Sequence, residues 1–405
     1  MRRTAWVLLV LFVFAIPWEY SLDAGAPFGN VARVLGILTL LAAVPAVLLE
    51  GRFRRTGAIH WLMIAFYLWQ CCTLLWTLVP QLTLFHLRAY AQEMMVVWLI
   101  WEFVDSKLDL RMLLRAWLAG SGVLALLTMA GFVSAVRLAS EQVRFAAIGQ
   151  DPNDVARLLV FGFPIAMLVA AGTCTRRERA LALLYFPLGS AAILVTASRS
   201  GILLELVALV GCVLAGLRSH ARATLIAAGS VVFAAGVIFV VAPSGTLDRL
   251  GSAAQARQYG DLNQRVNIWS AGWEAFEDAP IIGRGAGAFV SAAKLAPEDT
   301  AHNTPLALLV ESGLCGLSLF LAIFLVAARA IWRSEPTVRL GLSILMLLWV
   351  ISSLTGTLWE NRITWLMIGV AAASGGTAGE SNLRMSDRDQ VPVSDSAEFN
   401  APSLA

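Results

Sequence analysis

The chain has 405 residues, 58% of them hydrophobic and 14% charged, with a mean hydropathy of +0.73. That is about ten points more apolar and about ten points less charged than a typical soluble domain. Single soluble cores stop growing near roughly 250–300 residues, so the composition excludes a water-soluble chain and, away from the ends, disorder; the net charge of +3 is too small to imply nucleic acid.

The expected class is all-α, a polytopic membrane protein. Apolar runs mark twelve candidate transmembrane helices, at 4–20, 31–49, 58–79, 83–104, 110–136, 153–172, 179–197, 200–217, 222–242, 304–328, 338–357 and 362–376. The first follows Met1-Arg2-Arg3 like a signal peptide, but no A-x-A site follows, so it reads as a retained helix. Residues 1–242 hold spans 1–9, 243–303 the one long loop, 304–376 spans 10–12, and 377–405 a Gly/Ser/Asp-rich tail expected to be disordered. No internal repeat is visible, and the long loop joins spans 9 and 10, which argues against a transporter built from equal halves.

Basic residues orient the spans. With the N-terminus in the cytoplasm, the cytoplasmic segments hold Arg2 and Arg3; Arg52, Arg54 and Arg55; Lys107, Arg111 and Arg115; Arg176, Arg177 and Arg179; Arg218 and Arg222; Arg329, Arg333 and Arg339; Arg384 and Arg388. The alternation never breaks, so both termini are expected inside. The remaining cations, among them Arg144, Arg157, Arg199, Arg265, Arg284 and Arg362, fall on or near the outer face. Cations there run against the topological bias and call for a polar loop domain or an anionic ligand. Only Lys107 and Lys294 are lysines; arginine suits bidentate phosphate recognition, although a GC-rich genome produces the same bias. The five cysteines show no CxxC or Cys/His metal spacing and read as inert thiols.

The outer segments carry the chemistry. Asp151 caps span 6, with Pro152 as its first residue. Arg199 sits in the tight turn 196–201, where it either snorkels to headgroups or faces inward to a phosphate. In the long loop, Asp261 and Gln264 fit a capping box. Val266, Trp269, Trp273 and Phe276 then share a helix face expected to lie at the membrane interface, and Pro280 stops the helix. The stretch Ile281-Ile282-Gly283-Arg284-Gly285-Ala286-Gly287 is either an anion-binding nest or an ordinary turn. His302 is the only histidine of the long loop. It precedes Thr304, read as an N-cap, and Pro305, read as the first residue of span 10. The positive helix end disfavours imidazolium there, leaving His302 either a proton acceptor or a hydrogen-bonding group at an exposed helix start. Glu311 lies about two turns into span 10, and intramembrane carboxylates are functional or paired with a cation.

Four segments together resemble the O-antigen ligase and O-antigen polymerase superfamily of bacterial inner-membrane glycosyltransferases. They are 149–153; Ser198-Arg199-Ser200-Gly201; the run Arg265, Trp269, Ala275-Phe276, Pro280, Gly283-Arg284-Gly285, Phe289; and His302-Asn303, Leu306, Glu311-Ser312-Gly313, Gly316. The resemblance covers 145–330 in pattern. It implies an undecaprenyl-pyrophosphate-linked glycan donor used on the periplasmic face, with no cofactor, metal or nucleotide sugar, and lipid A–core or another lipid-linked glycan as acceptor. It further implies His302 as the base, Arg199, Arg265 and Arg284 on the donor pyrophosphate, and Asn303, Glu311 and Asn153 as supporting residues. Ligase is the first reading and repeat-unit polymerase, of O-antigen or exopolysaccharide, the second. A protein-glycosylating branch is usually longer at its C-terminus. A lipid-linked glycan flippase is the rival from another class; it should show charges lining a path from both faces, whereas the unexplained cations here gather on one.

Overall fold

The computed structural model describes residues 1–388 apart from 23, 24, 26–28, 52, 138–142, 173, 218–220, 242, 243 and 252–260. The protein is all-α. Helix α1 (Arg2–Ala15) runs into a 3₁₀ hook (Ile16–Ser21), followed by α2 (Val31–Glu50), α3 (Ala58–Cys72), α4 (Pro80–Phe103), α5 (Lys107–Arg137), α6 (Pro152–Ala171), α7 (Arg176–Val195), α8 (Arg199–Leu217) and α9 (Ala221–Val241). The long loop contributes α10 (Ser244–Gly251), α11 (Asp261–Glu277) and the short α12 (Phe289–Ala292), before α13 (Thr304–Arg333), α14 (Pro336–Ser353) and α15 (Arg362–Arg388). Every expected span is thus a helix, and among the described residues ten are long and apolar enough to cross a membrane. Helix α4 is interrupted by Arg88, Glu93 and Glu102, which lowers its hydropathy.

Helix α6 is the axis of the bundle. It packs against α5, α7, α8 and α14, and 78% of its apolar window is buried, against 11% for α9. A helix apolar on all sides belongs inside, and one that leaves Ile226, Val232 and Phe233 uncovered belongs against lipid. On the other flank α13 packs on α3 and α15, and α15 on α4.

One expectation of the fold is corrected. The last helix runs to Arg388, so 377–388 are helical rather than part of a disordered tail; Glu380, Leu383, Arg384 and Met385 are strong helix formers. Residues 389–405 lie outside the described residues. Helix α11 exposes Val266 and Trp273 of the expected face and buries Ile268 and Ala275 against Phe289, Leu306 and Val310. The small residues Ala271, Gly272 and Ala275 let this helix dock on α13, and Gly272 leaves the room that the Phe289 ring fills. Trp269 still faces inward, its Nε1 donating to the Ala301 carbonyl at 2.9 Å.

Candidate functional site

One end of the bundle gathers the irregular backbone, and its centre is a break in α13. Gly313 has φ +65° and ψ −169° inside the helix, a conformation that only glycine adopts without strain. The freed groups are satisfied by the 280–287 loop. Arg284 N donates to Val310 O (2.8 Å) and Gly285 N to Glu311 O (2.9 Å), while Leu314 N donates to Pro280 O (2.8 Å) and Cys315 N to Ile281 O (3.2 Å). Non-helical backbone at membrane depth survives only where protein surrounds it. Here Ala286 N reaches Thr73 Oγ1 (3.2 Å), Thr83 Oγ1 donates to Ala286 O (2.7 Å), and Trp69 Nε1 donates to Ser312 O (3.0 Å).

The glycine-rich loop turns backbone N–H groups onto a carboxyl of the protein's own. Glu311 is buried and accepts from the backbone N–H groups of Gly287 and Phe289, while its Oε2 has no partner. Next to it, His86 Nδ1 lies 3.4 Å from Glu360 Oε1, and the Tyr90 hydroxyl donates to the same oxygen at 2.9 Å.

His302 stands at the mouth of α13. Its φ of +44° places a non-glycine residue in the left-handed region, a strain that neighbouring structure must hold. Three ties do so. Asn303, rather than Thr304, caps α13: its extended backbone lets Oδ1 accept from Leu306 N at 2.9 Å. Thr304 begins the helix and donates to Gly356 O (2.8 Å) while accepting from Leu358 N (2.8 Å), binding the 354–361 loop to the site. Gln264 Nε2 donates to Asp299 Oδ1 (3.0 Å), so this side chain braces the loop before His302; the side chain of Asp261, its expected capping partner, lies outside the described residues. The imidazole Nε2 is 3.2 Å from Thr300 Oγ1.

The electrostatics keep this histidine neutral. Burial lowers the His302 pKa below the ordinary 6.5; Arg265 and then Arg157 lower it further, and Asp154 and Asp151 pull the other way. Arg157 was not among the expected site residues. It is buried, its Nη2 2.9 Å from Asp154 Oδ1 and its Nε without a partner. A guanidinium inside an otherwise apolar run, three residues from an aspartate, was the signal that could have found it.

The other expected residues are dispersed. Asn153 Oδ1 accepts from Arg144 Nη2 (2.8 Å) and Ser198 Oγ (2.9 Å), tying the start of α6 to the 196–198 turn. Ser198 in turn accepts from Gly201 N (3.2 Å), placing Arg199, half-buried, at the head of α8. Arg284 Nη2 lies 3.0 Å from Asp278 Oδ2. The structure therefore brings Arg265 and Arg157 to His302, puts Arg199 beside the Asn153 junction, and holds Arg284 on the re-entrant loop.

Below Arg157 a cavity of about 260 Å³ opens between the 3₁₀ hook, the start of α6 and the start of α15. Its polar lining includes Glu19, Asp151, Asp154, Arg157 and Arg362 with Tyr20, Gln150 and Asn361; Arg362 is ion-paired to Glu19.

Residues 181–321 match the model of the O-antigen ligase family. Over that segment the chain is similar to the O-antigen ligase family. The match runs from α7 through the long loop to the broken part of α13, and so takes in Arg199, Arg265, Arg284, His302 and Glu311. It supports a glycosyltransferase of the ligase or polymerase type. No curated protein matches the chain.

Proposed function

We propose that the protein is an O-antigen ligase of the bacterial inner membrane, moving a glycan from undecaprenyl pyrophosphate to a sugar hydroxyl of lipid A–core at the periplasmic face, with both termini in the cytoplasm. The observation that carries this reading is His302, held neutral by burial and two guanidiniums at the mouth of a broken span. A sugar hydroxyl is a weak nucleophile and benefits from such a base. As its oxygen attacks the anomeric carbon, the proton passes to His302. The bond from that carbon to the pyrophosphate oxygen breaks, and its electron pair leaves with the phosphate. A single displacement inverts the anomeric configuration.

Negative charge grows on the leaving pyrophosphate, and arginines can neutralise it through charge-assisted, bidentate bonds. Arg265 and Arg199 are proposed for that role. Arg284 would join them by exchanging the exposed Asp278 for a phosphate oxygen. Asn153 and Asn303 position the outer turns, and Glu311 holds the re-entrant loop. A second reading, repeat-unit polymerase, differs only in the acceptor, and the family match supports it equally.

The test is transfer by purified protein with lipid-linked donor and chelator present. His302→Gln keeps a hydrogen-bonding group but cannot take the proton, so transfer should be lost while donor binding persists. Near-normal transfer by His302→Gln would remove the base role, and a strict metal requirement would remove the arginine role.

A further inference from the structure

The cavity of about 260 Å³ is distinct in character from the arginine positions around His302. Its floor is apolar, from Ile16, Leu158, Phe161 and Leu358, and its rim carries both hydrogen-bond donors and acceptors. Three carboxylates, Glu19, Asp151 and Asp154, face two guanidiniums, and both guanidiniums are already paired, Arg157 to Asp154 and Arg362 to Glu19. The lining is therefore short of positive charge, and a pyrophosphate would meet the Asp151 carboxylate that caps α6. What remains is polar and directional: the buried Arg157 Nε has no partner, and Gln150 and Asn361 line the rim with amides whose nitrogens already donate to Pro17 O, Ser21 Oγ and Thr357 O, leaving their oxygens to accept. An apolar floor beneath a rim of donors and acceptors matches a pyranose ring, whose CH face is apolar and whose edge is hydroxyl. The volume lies at the small end of ligand pockets, the scale of one or two sugar rings.

The cavity is also wired to His302. Leu358 of its floor donates its N–H to Thr304, two residues after His302. Thr304 donates to the Gly356 carbonyl, and the Arg157 guanidinium packs where a Gly356 side chain would stand. A sugar seated against Arg157 thus lies on the same strut that fixes the imidazole.

We infer that this cavity is the subsite for a neutral terminal sugar of the acceptor, with Arg157 donating to a ring or hydroxyl oxygen. The inference rests on the glycosyltransferase reading above and deepens it: acceptor and donor are sorted by charge, the neutral sugar to the ion-paired cavity and the pyrophosphate to the arginines outside it.

The experiment uses the full chain in lipid nanodiscs, with methyl α-D-glucopyranoside and methyl α-D-galactopyranoside as neutral probes and glucose 6-phosphate as the charged one. Saturation-transfer NMR should show ring-proton contacts for at least one neutral probe, weaker contacts for the phosphate, and loss of both in Leu158→Trp, which fills the floor. Leu158→Phe, a milder filling, should weaken them in the same order. In transfer assays Leu158→Trp should raise the acceptor KM about tenfold or more, because bulk leaves no room for the ring, with the donor KM within about twofold. Contacts that persist in both variants, a stronger phosphate signal, or donor and acceptor KM rising together would overturn the assignment. The two ideas fail separately. If the wild-type protein moves no glycan, the glycosyltransferase reading falls, and the NMR arm alone judges the cavity. If it transfers normally and the filled variants keep the wild-type acceptor KM, the cavity assignment falls and the reading stands.

Discussion

Glu102 and Glu311 are both buried carboxylates in membrane helices, at opposite ends of the bundle, and they are handled differently. Glu102 closes a complete network: Arg2 Nη1 lies 3.4 Å from Oε1, Arg54 N donates to Oε2 at 3.0 Å, and Arg54 packs over Trp101. Glu311 has no ion pair among the described residues and keeps one oxygen unpartnered. A buried charge whose partners are all present is architectural; an orphaned polar atom has unmet hydrogen-bonding capacity that calls for an explanation. The same contrast holds for Arg157, whose Nε is orphaned at the His302 end. Cavity size points the other way. The larger cavities, about 420 and 510 Å³, lie at the end opposite His302. The first is lined by Leu183, Phe186, Leu209 and Val213, and the second has Lys107 already 2.5 Å from Glu335. Among the described residues the orphaned charged groups, Glu93, Arg157 and Glu311, rather than volume, are the guide to the proposed site, although other groups such as His60 Nε2 beside Trp101 are orphaned too.

That comparison breaks first at His302. His302→Ala should lower transfer by about 10²–10⁴-fold, the usual cost of a missing general base, seen in turnover more than in donor binding. A variant that inserts normally and transfers at the wild-type rate would move the chemistry away from this end.

The next effect is on charge neutralisation. A charge-assisted bond contributes about 1.5–3 kcal/mol, so Arg265→Ala and Arg199→Ala should each cost about tenfold to a few hundredfold in transfer. Lysine at either position should rescue poorly if the contact is bidentate. Wild-type turnover in both alanine variants would discard the role.

Much of this was legible in the sequence, and the exceptions share a cause. Helix positions follow from apolar run length, and His302 stood out as the lone histidine of the long loop. The tertiary partners did not. Nothing local distinguishes Arg284 facing Asp278 from Arg284 facing a phosphate. The face by which α11 docks on α13 went unread, because its small residues, Gly272 and Ala275, permit close packing without adding to an apolar pattern. The loop was recognisable from its glycines, but the carboxyl it faces, Glu311, lies more than twenty residues away and meets it only through the break at Gly313. The cavity is built from the 3₁₀ hook, α6 and α15, which no single window contains.

A smaller effect is a shift in pH. The imidazole acts as base only when neutral, so transfer should fall as pH drops through its pKa, which lies below 6.5. Arg265→Gln removes a positive neighbour, raises that pKa and should move the acidic limb to higher pH. Asp154→Asn removes a negative neighbour and should move it to lower pH. Rate profiles of the two variants that shift in the same direction, or not at all, would show that His302 does not set the limb.

The smallest expected effect is at the other end. Val213 lines the apolar cavity of about 420 Å³, on the same helix as Arg199 but at its opposite end. Val213→Trp adds bulk to a space that already exists, so the overpacking strain of about 1–3 kcal/mol expected in a filled core should be largely avoided. Its neighbours Leu209 and Phe186 can pack against the indole. Transfer should stay within about twofold of wild type, and thermal stability should hold or rise, because the indole gains apolar contacts that the cavity lacked. The same substitution logic applied at Leu158, in the smaller cavity, is expected to impair use of the acceptor. If instead Val213→Trp abolished transfer in a well-folded protein, the larger cavity would be part of the working machinery. Unpaired polar atoms would then no longer be the better guide to where this bundle acts.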